Sequence, residues 1–379
     1  MMIMNILYSN SIQFFIYLLV NLLFVIKYGL RYCSLPIVLL LCLVYTLSVV
    51  FGIRYVKRIN IKLLGAISLL LFLSLLVIQN SIDPYSIQVD RWSAIHNFIY
   101  NLLHGQYPYS AQTHLGGYGS PFPVWQLFHI PFYFLGNVGL SIALATLVFY
   151  CVIYIVYDKA MACYSFLLLL LSPAFVYEVL VRSDLITNFL LVASIILLLR
   201  KYHVTINSHY CRLAILCGLV MCTRLSAIIP FFTYYFREYI QAKWSIRISF
   251  PIIVLLVFAI TFLPFLLWDS EMLLFFEYNP FILQSRQGNV LDFILFIPIG
   301  IFLSLNWKDN IGTYALHTAC LLILLVVVTF IHNMYNNDNW DQLFESSYDI
   351  TYFNMCLPFV IVAIINTIHY DRHLNTISA

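Results

Sequence analysis

Charged side chains are scarce in this chain of 379 residues, because Asp, Glu, Lys and Arg together make up only 9% of it. Soluble domains carry about 25% of these residues. Hydrophobic residues make up 63% of the chain, and its mean hydropathy is +0.91. The shortage of charge excludes a water-soluble globule and predicts an integral membrane protein.

The sequence also lacks a large net charge and any glycine-rich phosphate loop. Its formal net charge is only +3, and it contains no basic tract. Proteins that bind nucleic acid normally present a basic patch or stripe. We therefore expect no nucleic-acid partner and no P-loop nucleotide chemistry.

Closely spaced cysteines are absent too. The nine cysteines include no CxxC pair, nearly all of them fall inside apolar runs, and none lies in the long polar loops. Zinc sites and redox motifs use closely spaced cysteines. We interpret these residues as small core side chains and expect neither disulfides nor cysteine metal ligands.

Apolar runs of about 20 residues recur along the chain, and runs of this length cross a bilayer as helices. The first run has no basic segment before it and no small-residue cleavage site, which favours a retained span over a signal peptide. We predict one all-α polytopic membrane domain with about twelve transmembrane helices, at residues 11–28, 35–52, 63–78, 139–157, 163–179, 185–199, 213–222, 225–236, 248–268, 290–305, 311–331 and 351–367.

The distribution of basic residues predicts the orientation of this domain. Thirteen of the 19 Lys and Arg residues fall in loops assigned to the cytoplasm, which leaves six outside. Both termini are then cytoplasmic, and the loop at 79–120 is periplasmic or lumenal. If 213–222 and 225–236 form one helix instead of two, every later side inverts. The predicted parts are N-terminal spans (1–78), an outer catalytic loop (79–138), core spans (139–268), and C-terminal spans with further outer loops (269–379).

The first outer loop, residues 79–120, is the longest polar stretch between apolar runs. Apolar residues repeat at helical spacing from 90 to 104, which predicts an interfacial amphipathic helix that Gly105 ends. A segment rich in Gly, Pro and Tyr follows, and a second short interfacial helix is predicted at 123–135. Long loops that stay ordered commonly carry function.

Ionisable and aromatic residues gather in the predicted outer loops. A carboxylate can take a proton from a sugar hydroxyl, an arginine can bind phosphate through two hydrogen bonds, and aromatic rings offer faces on which sugars stack. The candidate site residues are Asp90, Arg91, His96, Tyr109, His114, Tyr118, Arg182, Asp184, Arg224 and Arg286.

Several of these candidates also have a purely structural interpretation. Asp90 and Asp184 stand where helix N-caps belong, and Arg182 could extend to lipid head groups. Arg224 lies between two apolar helices, where an arginine is costly unless it is paired or faces a water-filled cavity. We therefore expect Arg224 either to be paired or to face a water-filled cavity.

Three stretches follow one another in a recognisable order. They are Asp90-Arg91-Trp92 with the Gly105–Tyr109 and Gly117–Pro123 segments, then Ser172-Pro173 with Arg182-Ser183-Asp184, and then Gly218-Leu219 with Arg224 and Pro230. In order, spacing and placement they resemble the polytopic GT-C glycosyltransferases, and more narrowly the mannosyltransferase-like branch that depends on polyprenyl-phosphate sugars. The resemblance covers roughly residues 61–245. The three predicted spans before the loop depart from the family, which more often has one.

The resemblance implies an inverting hexosyltransferase with Asp90 as the catalytic base and mannose as one candidate sugar. Its partners would be a polyprenyl-phosphate sugar donor, membrane lipids, and a glycan, lipid or protein acceptor. Arg224, Arg182 and Arg286 are the candidates to balance the donor phosphate, in that order. No cofactor is implied and no metal is required, and the histidines of the first outer loop lack the spacing of metal ligands.

Two other classes of membrane protein remain open. A transporter or flippase of lipid-linked sugars predicts charges at mid-membrane and broken helices in repeated halves. An O-antigen-polymerase-like enzyme would have its large outer loop late in the chain, with paired arginines. Here the charges gather at the outer ends of the spans and the largest loop is early, which favours a glycosyltransferase.

Overall fold

The protein is helical throughout the computed structural model, which describes residues 2–56, 60–285, 290–307, 309–340 and 348–377. Helix makes up 81% of it, and the described residues contain no strand. The helices are α1 (Met2–Gly29), α2 (Leu35–Val56), α3 (Ile61–Ser81), α4 (Arg91–Leu103), α5 (Pro123–Phe128), α6 (Ile130–Phe134), α7 (Ser141–Val156), α8 (Lys159–Leu170), α9 (Pro173–Leu180), α10 (Leu185–Lys201), α11 (Ile206–Met221), α12 (Ile229–Gln241), α13 (Trp244–Trp268), α14 (Ser270–Leu274), α15 (Pro280–Ser285), α16 (Val290–Leu305), α17 (Ile311–Asn336) and α18 (Leu357–Ile377).

Seven helices in the described ranges are long and apolar enough to cross a membrane, and α8 with α9 makes an eighth candidate that is bent by 71°. The predicted class, an all-α polytopic membrane protein, is confirmed. The predicted number of about twelve spans is wrong. The seven candidates are Ile12–Gly29, Leu35–Gly52, Ile61–Ser81, Val138–Val156, Trp244–Trp268, Ile311–Asn336 and Ile350–Arg372.

Short or broken helices account for the difference. The span predicted at 163–179 bends at Ser172-Pro173, because proline cannot continue the hydrogen-bond ladder of a helix. The spans predicted in α10, α11, α12 and α16 form helices of 17, 16, 13 and 16 residues. Even 17 residues reach only about 26 Å, less than the ~30 Å of a hydrocarbon core.

The last helix, α18, lies at the centre of the main hydrophobic core. Every residue from 353 to 365 is buried, and α17, α1, α8 and α10 pack around this stretch. A helix that is apolar on all sides is stable in such a position. By contrast, α2 leaves most of its leucines exposed, as expected for a helix that faces lipid.

A second, aromatic core holds the first outer loop in place. Phe98 of α4 lies 4.9 Å from the ring of Tyr109, which in turn lies 5.5 Å from Phe265 of α13. Phe122 lies 5.1 Å from Phe262 on the same helix. The predicted interfacial helix at 90–104 is therefore present as α4 and packs against a long span. The helix predicted at 123–135 is divided into α5 and α6 at His129.

One end of the helical bundle brings together distant parts of the chain. Lys27, near the end of α1, donates from Nζ to the carbonyl oxygen of Tyr348 at 2.5 Å. Tyr348 lies just before the 3₁₀ helix Ile350–Cys356 that leads into α18. Since α1 runs toward this end and α18 runs away from it, the far ends of both helices lie at the other end of the bundle.

Candidate functional site

Asp90 stands at the N-cap position of α4, but its side chain makes no capping hydrogen bond. Its carbonyl oxygen accepts from the N–H of Ala94 at 2.9 Å, while its carboxylate Oδ2 accepts from Oγ1 of Thr113 at 3.0 Å. The residue is only half-buried. The capping explanation therefore does not account for this carboxylate, which is turned away from the helix and into the first outer loop.

A tight turn in the outer loop places Thr113 beside Asp90. The N–H of Thr113 donates to the carbonyl of Gly117 at 2.8 Å, and the N–H of Gly117 donates to Oγ1 of Thr113 at 2.9 Å. Gly116 has φ of +81°, a conformation that glycine adopts without strain. A Cβ at Gly117 would lie 3.0 Å from Oδ2 of Asp90. The two glycines thus allow the turn to approach the carboxylate closely.

His114 joins the same turn to the first turn of α4. Its Nε2 donates to the carbonyl oxygen of Ile87 at 2.8 Å, since a carbonyl can only accept. Its Nδ1 lies 2.7 Å from Oγ of Ser93. His96 lies further along α4, where Nδ1 contacts Oδ1 of Asn97 at 3.0 Å. Of these two candidate site residues, only His114 is linked to Asp90 in the described part of the chain. The link is Ser93, whose Oγ contacts both His114 and the carbonyl oxygen of Asp90.

The two predicted tyrosines have different environments. Tyr109 is buried in the aromatic core, and its hydroxyl donates to the carbonyl of Pro121 at 3.4 Å, so it supports the loop from within. Tyr118 directly follows the turn and stacks on Tyr278 with ring centroids 5.4 Å apart and planes 10° apart. Tyr278 is exposed, so this stacked pair offers an accessible aromatic surface near the turn.

Arg224 and Asp184 form a buried ion pair, with Nη2 and Oδ2 2.5 Å apart. The indole N–H of Trp125 donates to the same oxygen at 2.5 Å. Burial alone would raise the pKa of Asp184, but the Arg224 guanidinium, with Arg91 further away, lowers it to about 2. Of the two arrangements open to Arg224, pairing or a water-filled cavity, the structure shows pairing, and Asp184, like Asp90, makes no side-chain cap.

The loop and the ion pair are held together by backbone contacts. The N–H groups of Phe122 and Val124 donate to the carbonyls of Thr223 and Cys222, each at 3.2 Å. Trp125, which bonds to the ion pair, follows directly. Because the backbone fixes this junction, the three sequence stretches that begin near residues 90, 172 and 218 meet at one end of the bundle.

Arg91 points away from Asp90 and toward the C-terminal third of the chain. Its Nη2 donates to Oδ2 of Asp349 at 2.6 Å, and its guanidinium lies 5.0 Å from the ring of Tyr352. Burial alone would lower the pKa of Arg91, but the Asp349 carboxylate raises it above its usual value. The Nη1 group is buried and donates to no described residue.

Three residues of the site were missed by sequence reasoning, namely Glu178, Asp349 and Asn354. Glu178 of α9 is fully buried; its Oε2 accepts from the N–H of Ile186 at 2.9 Å and its Oε1 from Nδ2 of Asn354 at 2.6 Å. A single acid within an apolar helix was the available signal for Glu178. No local pattern marks Asp349 or Asn354, because their partners lie far away in the sequence.

Arg182 lies apart from these groups. Its Nη2 donates to the carbonyl oxygens of Gln79 and Ile82, both at 3.0 Å, and so closes the C-terminal end of α3. Its φ of 55° is unusual for a residue with a side chain. Arg286, another predicted phosphate ligand, lies outside the described residues.

Within the described ranges, no group of three or more His, Cys, Asp or Glu side chains is placed to hold a metal ion. The chemistry on offer is therefore that of a half-exposed carboxylate, stacked aromatic rings and arginines. No family model, no curated protein and no solved structure matches this chain.

Proposed function

We propose that this chain is a membrane glycosyltransferase. It moves a hexose, with mannose as one candidate, from a polyprenyl-phosphate donor to a glycan, lipid or protein acceptor. The observation that carries the proposal is the Asp90 carboxylate, which leaves its helix uncapped and instead bonds to Thr113 while remaining half-exposed. A carboxylate held in this way is suited to remove a proton from an incoming hydroxyl.

Apart from the general base, the reaction requires no strong acid or base from the protein. The acceptor hydroxyl loses its proton to Asp90, its oxygen bonds to C1 of the sugar with inversion, and the bond from C1 to the phosphate oxygen breaks. The departing polyprenyl phosphate is already a stable anion, so no strong general acid is required. Among the described residues, Oδ1 of Asp90 accepts no hydrogen bond, which leaves it available to the acceptor.

The grouping of the three sequence stretches supports this proposal. The resemblance to GT-C glycosyltransferases rests on segments around Asp90, Asp184 and Arg224. Trp125 joins the first of these segments to the other two through its bond to Asp184. Residues that act on one substrate must lie within reach of each other, and these segments do.

We assign the site to the outer face and both termini to the cytoplasm. The basic residues Arg54, Lys57, Arg58 and Lys62, which lie in the sequence where α2 ends and α3 begins, support this orientation, because such clusters mark the cytoplasmic side. The paired ends of α1 and α18 support termini on the same side, because Lys27 and Tyr348 meet at the site end.

The test is transfer of radiolabelled sugar from a panel of polyprenyl-phosphate donors in membranes, comparing wild type with Asp90→Asn at matched expression. Asp83→Asn is the control, because Asp83 lies in the same loop, is exposed, and only caps the 3₁₀ helix Pro84–Ser86. We expect Asp90→Asn to lose transfer by at least about a hundredfold and Asp83→Asn to retain it. Undiminished transfer by Asp90→Asn would refute the base assignment, and no transfer by wild type from any donor would refute the activity.

A further inference from the structure

Three basic residues gather where α1 ends and α4 begins. Lys27 is buried, and its Nζ contacts only a carbonyl oxygen, that of Tyr348. Arg31 is exposed and lies 4.9 Å from the ring of Tyr28. The hydroxyl of Tyr28 lies within electrostatic range of Arg31, Arg91 and Asp349. These contacts place the charges around one spot at the site end of the bundle.

The charges at this spot do not cancel among the described residues. Lys27, Arg31 and Arg91 contribute three positive charges, and Asp349 and the buried Glu178, which both act on Arg91, contribute two negative charges, so the sum is +1. Asp349 pairs with Arg91, and its side chain is 39% exposed, so solvent reaches the pair. Arg31 forms no ion pair in the described part of the chain. A positive, solvent-accessible cluster is an anion-binding surface.

The arginines ranked first for phosphate binding from the sequence are already engaged. Arg224 is neutralised by Asp184. Arg182 donates to two backbone carbonyls at the end of α3. Arg182 keeps its charge, but its side chain is buried and directed to these carbonyls. By contrast, the Lys27–Arg31–Arg91 cluster includes an exposed guanidinium, that of Arg31.

We propose that Lys27, Arg31 and Arg91 form the binding site for the phosphate of a membrane-embedded lipid phosphate. This inference rests on the proposed function, in which that phosphate is the leaving group of the donor. The cluster lies at the end of α1, a candidate span, and therefore at the depth where lipid phosphates reside. A polyprenyl tail can stay in the bilayer while its phosphate reaches Arg31.

The directions of two neighbouring side chains suit the displacement. The carboxylate of Asp90 turns toward Thr113, whereas Arg91 extends to Asp349. Inversion requires the attacking oxygen and the departing oxygen to lie on opposite sides of C1. When the bond from C1 to oxygen breaks, its electron pair stays on the phosphate oxygen, and the singly charged diester becomes a doubly charged monoester. A site with an excess of positive charge complements that product.

The test measures binding without transfer. Purified protein in phosphatidylcholine nanodiscs is titrated with a fluorescent polyprenyl monophosphate, and binding is followed by anisotropy. We expect Arg31→Gln to weaken binding about tenfold and Arg31→Lys to restore most of it. Arg31 is exposed and contacts only a ring, so its replacement leaves the fold intact. Arg212→Gln is the matched control, an exposed arginine in the first half of α11.

Competitors identify the source of the phosphate. Displacement by unlabelled polyprenyl phosphate, but not by the same concentration of phosphatidylglycerol or inorganic phosphate, supports a site for the lipid-linked donor. Equal displacement by phosphatidylglycerol would make it an ordinary head-group contact, and equal displacement by inorganic phosphate would make it a free-phosphate site; either result overturns the proposal. Wild-type affinity in Arg31→Gln also overturns it.

The two proposals fail separately. If Arg31 governs binding but no donor supports transfer, the phosphate site stands and the reaction is wrong. If transfer depends on Asp90 while Arg31→Gln leaves the KM for the donor unchanged, the reaction stands and the phosphate site is wrong.

Discussion

Arg224 donates to Asp184 across 2.5 Å in a place where their side chains are only 5% and 3% exposed. Removal of one partner from such a pair leaves a buried charge without compensation, which costs about 3–5 kcal/mol. The pair also anchors the outer loop through Trp125. We therefore expect the pair to contribute mainly to the stability of the fold. It should affect substrate binding only indirectly, through the position of the loop.

Replacement of Arg224 by Met should lower the free energy of unfolding by about 3–5 kcal/mol. Thermal unfolding in detergent, followed by tryptophan fluorescence, measures the change. Arg372→Gln is the control, because Arg372 and Asp158 lie 3.9 Å apart and are both nearly half-exposed, so we expect less than about 1 kcal/mol there. Equal shifts in melting temperature for the two variants would show that the buried ion pair contributes no more to stability than the exposed one.

Acid should weaken the fold through Asp184 in a defined range. Its pKa is lowered from 3.8 to about 2, so its contribution is fully present above pH 3.8 and is lost as the pH falls toward 2. The stability difference between wild type and Asp184→Asn, measured from pH 6 to 2, should shrink below about pH 4. In Arg224→Met, the largest charge that opposes burial is removed, so the pKa of Asp184 rises and its contribution above pH 4 becomes smaller. The same slope in both backgrounds would rule out the pairing as its cause.

Gly139 should tolerate no side chain. A Cβ at this position would lie 2.7 Å from Cβ of Arg182, which is closer than two non-bonded carbon atoms can approach. We expect Gly139→Ala to destabilise the protein by about 1–3 kcal/mol. Gly52→Ala is the control, since a Cβ at Gly52 meets nothing within 4 Å, and alanine should be neutral or stabilising within α2. An unaltered melting temperature for Gly139→Ala would show that the contact with Arg182 relaxes freely.

Thr113 should affect turnover more than substrate affinity. Its Oγ1 both donates to Asp90 and accepts from the N–H of Gly117, so it fixes the direction of the carboxylate. We expect Thr113→Val to lower kcat about tenfold to a hundredfold with little change in KM, and Thr113→Ser to retain activity. A fall in activity that Thr113→Ser shares, or one seen only in KM, would assign Thr113 a role in packing or binding instead.

The sequence predicts the local features of this protein well. The period of apolar residues identifies α4, and the cost of a charge between apolar helices predicts that Arg224 is either paired or in contact with a water-filled cavity. The identity of the partner depends on tertiary structure: Asp184 is 40 positions away, and Asp349 is 258 positions from Arg91. Hydrophobic length alone overestimates the number of spans, because it does not register the bend at Pro173 or distinguish short core helices from true spans.

The separation of Lys27 and Arg91 from their C-terminal partners has a consequence for biosynthesis. A ribosome that adds about 5–20 residues per second needs about 13–52 s to pass from residue 91 to residue 349. During that time Arg91 has been made but its carboxylate has not. Until the last helix inserts, water and lipid head groups solvate this cationic end in place of Asp349, so the C-terminal segment completes the proposed phosphate site as well as the fold.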